Sequence, residues 1–136
     1  MTEEEFEKIK QVAAIDTTIP EDELPRIEYS FTLSKRINKW CNILQKQTNL
    51  IKNLECDIAD LTYHLLPKYK FNDSMVWSTA KEIEMRINGD PKFIELIRNK
   101  NIQESYQCYF KDTMLTLKSN VSLLKSYIDY KKQIMY

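Results

Sequence analysis

The sequence predicts an all-α fold, and three observations carry the prediction. One glycine and four prolines in 136 residues leave few places for strands to turn. Between Pro25 and Leu66 there is no glycine and no further proline. Apolar residues recur there, and again near the carboxyl end, at alternating steps of three and four, the period of a helix that buries one face.

The elements follow in order. Thr2-x-x-Glu5 fits a capping box, and Phe6, Ile9, Val12 and Ala13 form the apolar side of a short acidic helix over residues 1–14. The pattern stops at Ile15-Asp16-Thr17-Thr18-Ile19-Pro20, which reads as a connector. A first long helix spans about 25–66, with Pro25 in its first turn, where a missing N–H costs nothing. Its stripe is Ile37, Trp40, Leu44, Gln47, Ile51, Leu54, Ile58, Leu61 and Leu65, with Gln47 the polar exception. Pro67 should end it, and Lys68-Tyr69-Lys70-Phe71-Asn72-Asp73 has the composition of a loop. A shorter helix runs from about Ser74 to Ile87. Gly89 then supplies a stop, Asp90 an N-cap and Pro91 a first helical residue. The second long helix, about 91–134, carries an unbroken stripe of Phe110, Met114, Leu117, Val121, Leu124 and Ile128. Upstream, Ile94, Ile97, Ile102, Tyr106 and Tyr109 leave that frame, which suggests a stutter near residue 105.

The whole chain reads as a single helical domain with coiled-coil-like packing: an acidic helix (1–14), a basic part (25–90) and an oligomerisation helix (91–136). A compact domain of this size is roughly 36–40 Å across. A helix over residues 25–66 would be about 63 Å long. Either the long helices form a slender hairpin or other copies cover their stripes. Homo-oligomerisation is the expectation, through Phe110, Met114, Leu117, Val121, Leu124 and Ile128.

Several function classes lack their residues. His64 is the one histidine, and the cysteines Cys41, Cys56 and Cys108 form no CxxC, so no zinc ligand set is expected. A single glycine excludes a P-loop or dinucleotide fingerprint. Asp57 and Asp60, one turn apart, read as solvent-facing charge. Neither catalysis nor a cofactor is expected. The cysteines read as reduced, part-buried thiols. The acidic start is unlike a secretory signal, and no apolar run is long enough to span a bilayer.

The formal net charge is zero but segregated. Residues 1–25 carry −6, residues 26–70 carry +4, residues 71–90 carry −2 and residues 91–136 carry +4. Lys35, Arg36, Lys39, Lys46 and Lys52 stand between the stripe positions of the first long helix, a pattern suited to phosphates or simply to solvent. Lys68-Tyr69-Lys70 interleaves charge and aromatic surface, as single-strand stacking sites do and as loops with inward-turned aromatics also do.

The order of these features resembles the UvsY-like recombination mediators of T4-like bacteriophages. Ile15-Asp16-Thr17-Thr18 is similar to the Ile-Asp-Ser-Thr of that family. Leu33-Ser34-Lys35-Arg36-Ile37-Asn38-Lys39-Trp40 resembles the basic-aromatic start of its long helix. Glu84 to Asp90-Pro91 and Phe93 resembles its acidic turn, and Lys125-Ser126 with Lys131 or Lys132 its terminal bases. The likeness covers nearly the whole chain through short motifs in matching order. It implies a hexameric or heptameric ring in the cytoplasm of an infected bacterium. Such a ring binds single-stranded DNA, remodels the phage single-strand-binding protein and loads a RecA-like recombinase without hydrolysing nucleotide. One departure stands out: the family's basic run late in the first long helix is replaced here by Asp57-Ile58-Ala59-Asp60-Leu61-Thr62-Tyr63. The DNA-contact role therefore does not carry over to those positions. It would fall to Lys35, Arg36, Lys39, Lys46, Lys52, Lys68, Tyr69 and Lys70. The acidic first helix is a candidate docking surface for partner proteins, or a solubilising face. A second class remains open, an oligomeric coiled-coil scaffold or chaperone-like adaptor that never meets nucleic acid.

Overall fold

The structure, a computed structural model, describes residues 1–70 and 79–135. Among these the fold is all-α, with α1 at Glu3–Thr17, α2 at Glu23–Tyr69, α3 at Ala80–Asn88 and α4 at Pro91–Met135. Two compact units are built from them. Unit 1 comprises Met1–Gln47 and Tyr106–Tyr136, and unit 2 comprises Thr48–Ser105.

In unit 1, α1 and the first part of α2 pack on the last part of α4. The capping box forms as the sequence predicts, with Thr2 and Glu5 exchanging bonds of 3.2 Å. The core gathers Ala13, Tyr29, Leu33, Trp40, Tyr106, Phe110, Met114, Leu117 and Leu124. Phe6 stacks on Tyr106 at 3.9 Å between centroids and meets Tyr109 edge-on. Trp40, Phe110 and Leu117 are fully buried. At roughly 1.5–3 kcal/mol per large apolar side chain, this cluster is the main stabilising term of the unit.

In unit 2, α2 packs against α4 around Ile51, Leu54, Leu65 and Ile87, all buried. Lys100 and Gln103 of α4 continue its inward face at helical spacing, with Lys100 reaching Glu55 and Glu104 at 3.6 Å. No stutter is needed near residue 105. The frame persists, and polar side chains occupy two of its positions.

Several boundaries differ from expectation. Helix α1 runs through Ile15-Asp16-Thr17 and stops at Thr18. Asp16 sits on its buried face, and a charged residue there reads as a break in an apolar pattern. Pro67 does not end α2, which continues to Tyr69 because its last turn is fastened by Tyr69 to Asp90. Lys68 and Tyr69 are therefore helical, while Phe71-Asn72-Asp73 and the expected helix start at Ser74 lie outside the described residues. Helix α3 begins at Ala80, where the Thr79 hydroxyl accepts from the Glu82 N–H. Gly89 closes α3 with φ −92°, a right-handed conformation, and a Cβ there would meet only ordinary contacts. All three cysteines are free, but exposed rather than part-buried. Cys41 follows the inward Trp40 by one residue and so turns outward.

Candidate nucleic-acid interface

The basic residues singled out from the sequence fall into two neighbourhoods, one in each unit. In unit 1, Arg36 and Lys39 are drawn inward by Asp16. The Asp16 carboxylate accepts from Trp40 Nε1 at 2.9 Å and pairs with Lys39 Nζ at 2.5 Å and Arg36 Nε at 3.8 Å. Its side chain is 8% exposed, against 25% for Arg36 and 45% for Lys39. The Asp16 carbonyl also accepts from the Tyr29 hydroxyl and from Arg36 Nη1, at 2.6 and 3.2 Å. Asn120 of α4 completes the node, donating to the Thr17 carbonyl at 2.9 Å and to Tyr29 Oη at 3.0 Å. Two of the expected phosphate ligands thus have a structural duty, and Lys39 alone keeps nearly half its surface in water.

Lys35 and Lys46 differ. Both are exposed, and neither has an ion-pair partner among the described residues. They lie eleven residues apart on α2, which returns them to nearly the same face. Residues 29–54 contain no carboxylate at all, so nothing along that stretch of the helix neutralises them. Lys52, in unit 2, is likewise exposed and unpaired among the described residues.

Elsewhere in unit 2, Lys68 and Tyr69 meet Asp90, which is buried at the start of α4. One carboxylate oxygen caps the helix, accepting from Lys92 N at 3.0 Å and Phe93 N at 3.3 Å. The other accepts from the Tyr69 hydroxyl at 2.9 Å, with Lys68 Nζ at 4.0 Å. The Tyr69 hydrogen bond, above all, holds the Asp90 carboxyl below its ordinary pKa; the two backbone bonds and the Lys68 charge act in the same direction, and desolvation opposes them. Because the folded-state value is depressed, Asp90 stabilises the fold fully above about pH 4, the ordinary aspartate range, and loses that contribution as pH falls through the lowered value. Urea midpoints followed from neutral pH into acid should fall, and Asp90→Asn should flatten that limb. An equally steep acid limb in the variant would show that other groups cause it. Lys68 remains largely exposed and Lys70 is exposed, so both keep surface for an anion.

The residues expected to join copies behave differently again. Phe110, Met114, Leu117 and Leu124 are buried within unit 1 by the chain itself. Val121 and Ile128 remain 40% and 36% exposed. The periodicity locates the buried face of α4, but α1 and α2 of the same chain cover it. Exposed apolar surface lies on another side of α4, at Leu115, Leu123, Tyr130 and Ile134.

Asp57, Asp60 and His64 are exposed. Among the described residues no three His, Cys, Asp or Glu side chains cluster as metal ligands would, and no helix is long and apolar enough to cross a membrane. Compared with known proteins, the chain matches no family model, no curated protein and no solved structure.

Proposed function

We propose that this chain is a recombination mediator of the UvsY-like kind. It would bind single-stranded DNA along α2, work beside a phage single-strand-binding protein, and load a RecA-like recombinase in the host cytoplasm without catalysis of its own. The observation that carries the reading is the carboxylate-free stretch of α2 with Lys35 and Lys46 exposed and unpaired among the described residues. Such a face attracts phosphate without reading base sequence, as a mediator acting on any strand requires. The all-helical fold and the order of motifs support the same reading.

The proposal extends to assembly, because several copies of a modest basic face gain avidity on one strand. Copies would meet on the side of α4 that carries Leu115, Leu123, Tyr130 and Ile134. Glu3, Glu4, Glu5 and Glu7 of α1 are exposed, while Phe6, Ile9 and Ala13 pack inward. A protein partner would therefore meet its carboxylates.

Anisotropy of a labelled oligonucleotide, single-stranded and duplex, titrated at several salt concentrations tests the reading. Single strands should be preferred, with binding that weakens steeply as salt rises. Lys35→Gln with Lys46→Gln should lower the salt slope by about 1.4, roughly 0.7 for each lost phosphate contact. An unchanged slope removes these lysines from the site. No binding to any oligonucleotide at low salt leaves an oligomeric helical scaffold. Lys39 is a poor probe, since reversing its charge would set a second carboxylate beside Asp16.

A further inference from the structure

A groove in unit 1 runs between residues 30–34 of α2 and residues 121–132 of α4. Leu33, Val121, Leu124 and Ile128 line it with apolar surface, and Ser30, Ser34, Lys125, Asp129 and Lys132 supply its polar groups. Phe31 belongs to the same lining and is 79% exposed, with no ring or cation stacked on it among the described residues. A phenylalanine so placed forgoes burial that would otherwise be favourable.

The lysines extend well past the groove. Lys111, Lys118, Lys125 and Lys132 recur at every seventh residue of α4, and all are exposed. None has an ion-pair partner among the described residues. A seven-residue step is two turns less about 20°, so the four form one slowly drifting row roughly 32 Å long. Residues 113–128 contain no carboxylate, and Asp129 is the lone acid on the groove.

We propose that this groove is a second binding site for single-stranded nucleic acid, with Phe31 as a platform for a base and the Lys118, Lys125 and Lys132 row as phosphate contacts. Aromatic surface beside a basic track is the physical requirement for sequence-tolerant binding of a single strand. An acidic amphipathic helix would suit the apolar floor, but it would need cations only beside the groove. A row that continues for two more heptads toward Lys111 fits a ligand whose charge also continues.

The inference rests on the reading that the chain binds single strands, but it puts part of the strand on α4 instead of α2. The test uses the full chain, labelled oligo(dT) and salt titrations, with circular dichroism to verify the helices. Phe31→Ala should weaken binding about tenfold at every salt concentration and leave the slope unchanged, because stacking is not ionic. Lys118→Gln, Lys125→Gln and Lys132→Gln together should lower the slope by about 2. Phe31→Trp should bind as the parent does, with indole fluorescence quenched by oligo(dT). If these variants bind as the parent while Lys35→Gln with Lys46→Gln does not, the groove proposal fails and the mediator reading stands. If the parent binds no oligo(dT), both fail. A Phe31→Trp signal that responds to a synthetic peptide of residues 1–17 and not to oligo(dT) overturns the proposal in favour of an acidic helical partner.

Discussion

Asp16→Ala should destabilise unit 1 by about 2–4 kcal/mol, measured by urea denaturation at neutral pH. The Trp40 indole is fully buried, and its N–H would lose its acceptor, which by itself costs about 1–3 kcal/mol. Arg36, three-quarters buried, would lose the carboxylate that offsets its desolvation. Lys39 adds less, since its half-exposed ammonium can turn into water. Asp16→Asn keeps an acceptor for the indole and should recover roughly half the loss. A loss below about 0.5 kcal/mol for alanine, the range of an ordinary surface change, would show that the node does not hold the unit together. The same variants probe function: if Arg36 and Lys39 touch a strand, Asp16→Asn should tighten single-strand binding at low salt by releasing their charge.

Leu117→Asp should be more damaging still, at about 4 kcal/mol or more, enough to unfold unit 1. Leu117 is fully buried at the centre of the cluster with Trp40 and Phe110. A carboxylate there loses the apolar contacts and is stripped of its water. Loss of assembly in this variant would therefore say nothing about an interface between copies. Leu115→Asp and Leu123→Asp, at positions 63% and 61% exposed, are the informative comparison. They should leave helicity and melting nearly unchanged, and sedimentation then reads assembly alone. A cooperative, parent-like melt for Leu117→Asp would place that side chain outside the core.

Much of the fold was legible because its signals are local. The Thr2–Glu5 capping box, the Asp90-Pro91 start of α4 and the three-four stripes through Trp40 and Leu117 each follow from chemistry within one or two turns. The failures share one cause, the satisfaction of polar groups by distant partners. Asp16 looked like the end of α1 because its partners Arg36, Lys39 and Trp40 lie twenty or more residues away. The partly buried Lys100 and the buried Gln103 read as a slipped frame because hydropathy cannot register an inward polar side chain that is bonded. Pro67 reads as a terminus because the bond that fastens the last turn, from Tyr69 to Asp90, joins residues 21 apart.

The candidate interface was legible in part for the same reason. Periodicity put Lys35 and Lys46 on the outer side of α2, and they are exposed. It put Arg36 and Lys39 there too, blind to the carboxylate beneath them. Phe31 lies outside the three-four stripe of α2, and composition alone does not tell an exposed aromatic residue from a core one. Only its position midway between the buried Tyr29 and Leu33, two residues from each and so on the opposite face, hints at exposure. The stripe of α4 showed that a face is covered, but a period carries no information on whether the cover is the same chain or another.

The two units also differ in how their chain is assembled. Residues 48–105 form unit 2 as one continuous stretch, whereas unit 1 joins the first 47 residues to residues 106–136. As the polypeptide leaves the ribosome, unit 2 has all of its segments before unit 1 can close. Trp40, Phe6 and Ala13 must wait for Phe110 and Leu117, and Asn120 reaches back across 103 residues to Thr17. Loop-closure entropy for such a span is reduced if the intervening residues are already ordered. The expected order of folding is therefore inside-out along the sequence, with protection from hydrogen exchange appearing in residues 48–105 before it appears at the termini. Until then α1 has only the early part of α2 to pack against, with Glu3, Glu4, Glu5 and Glu7 facing water.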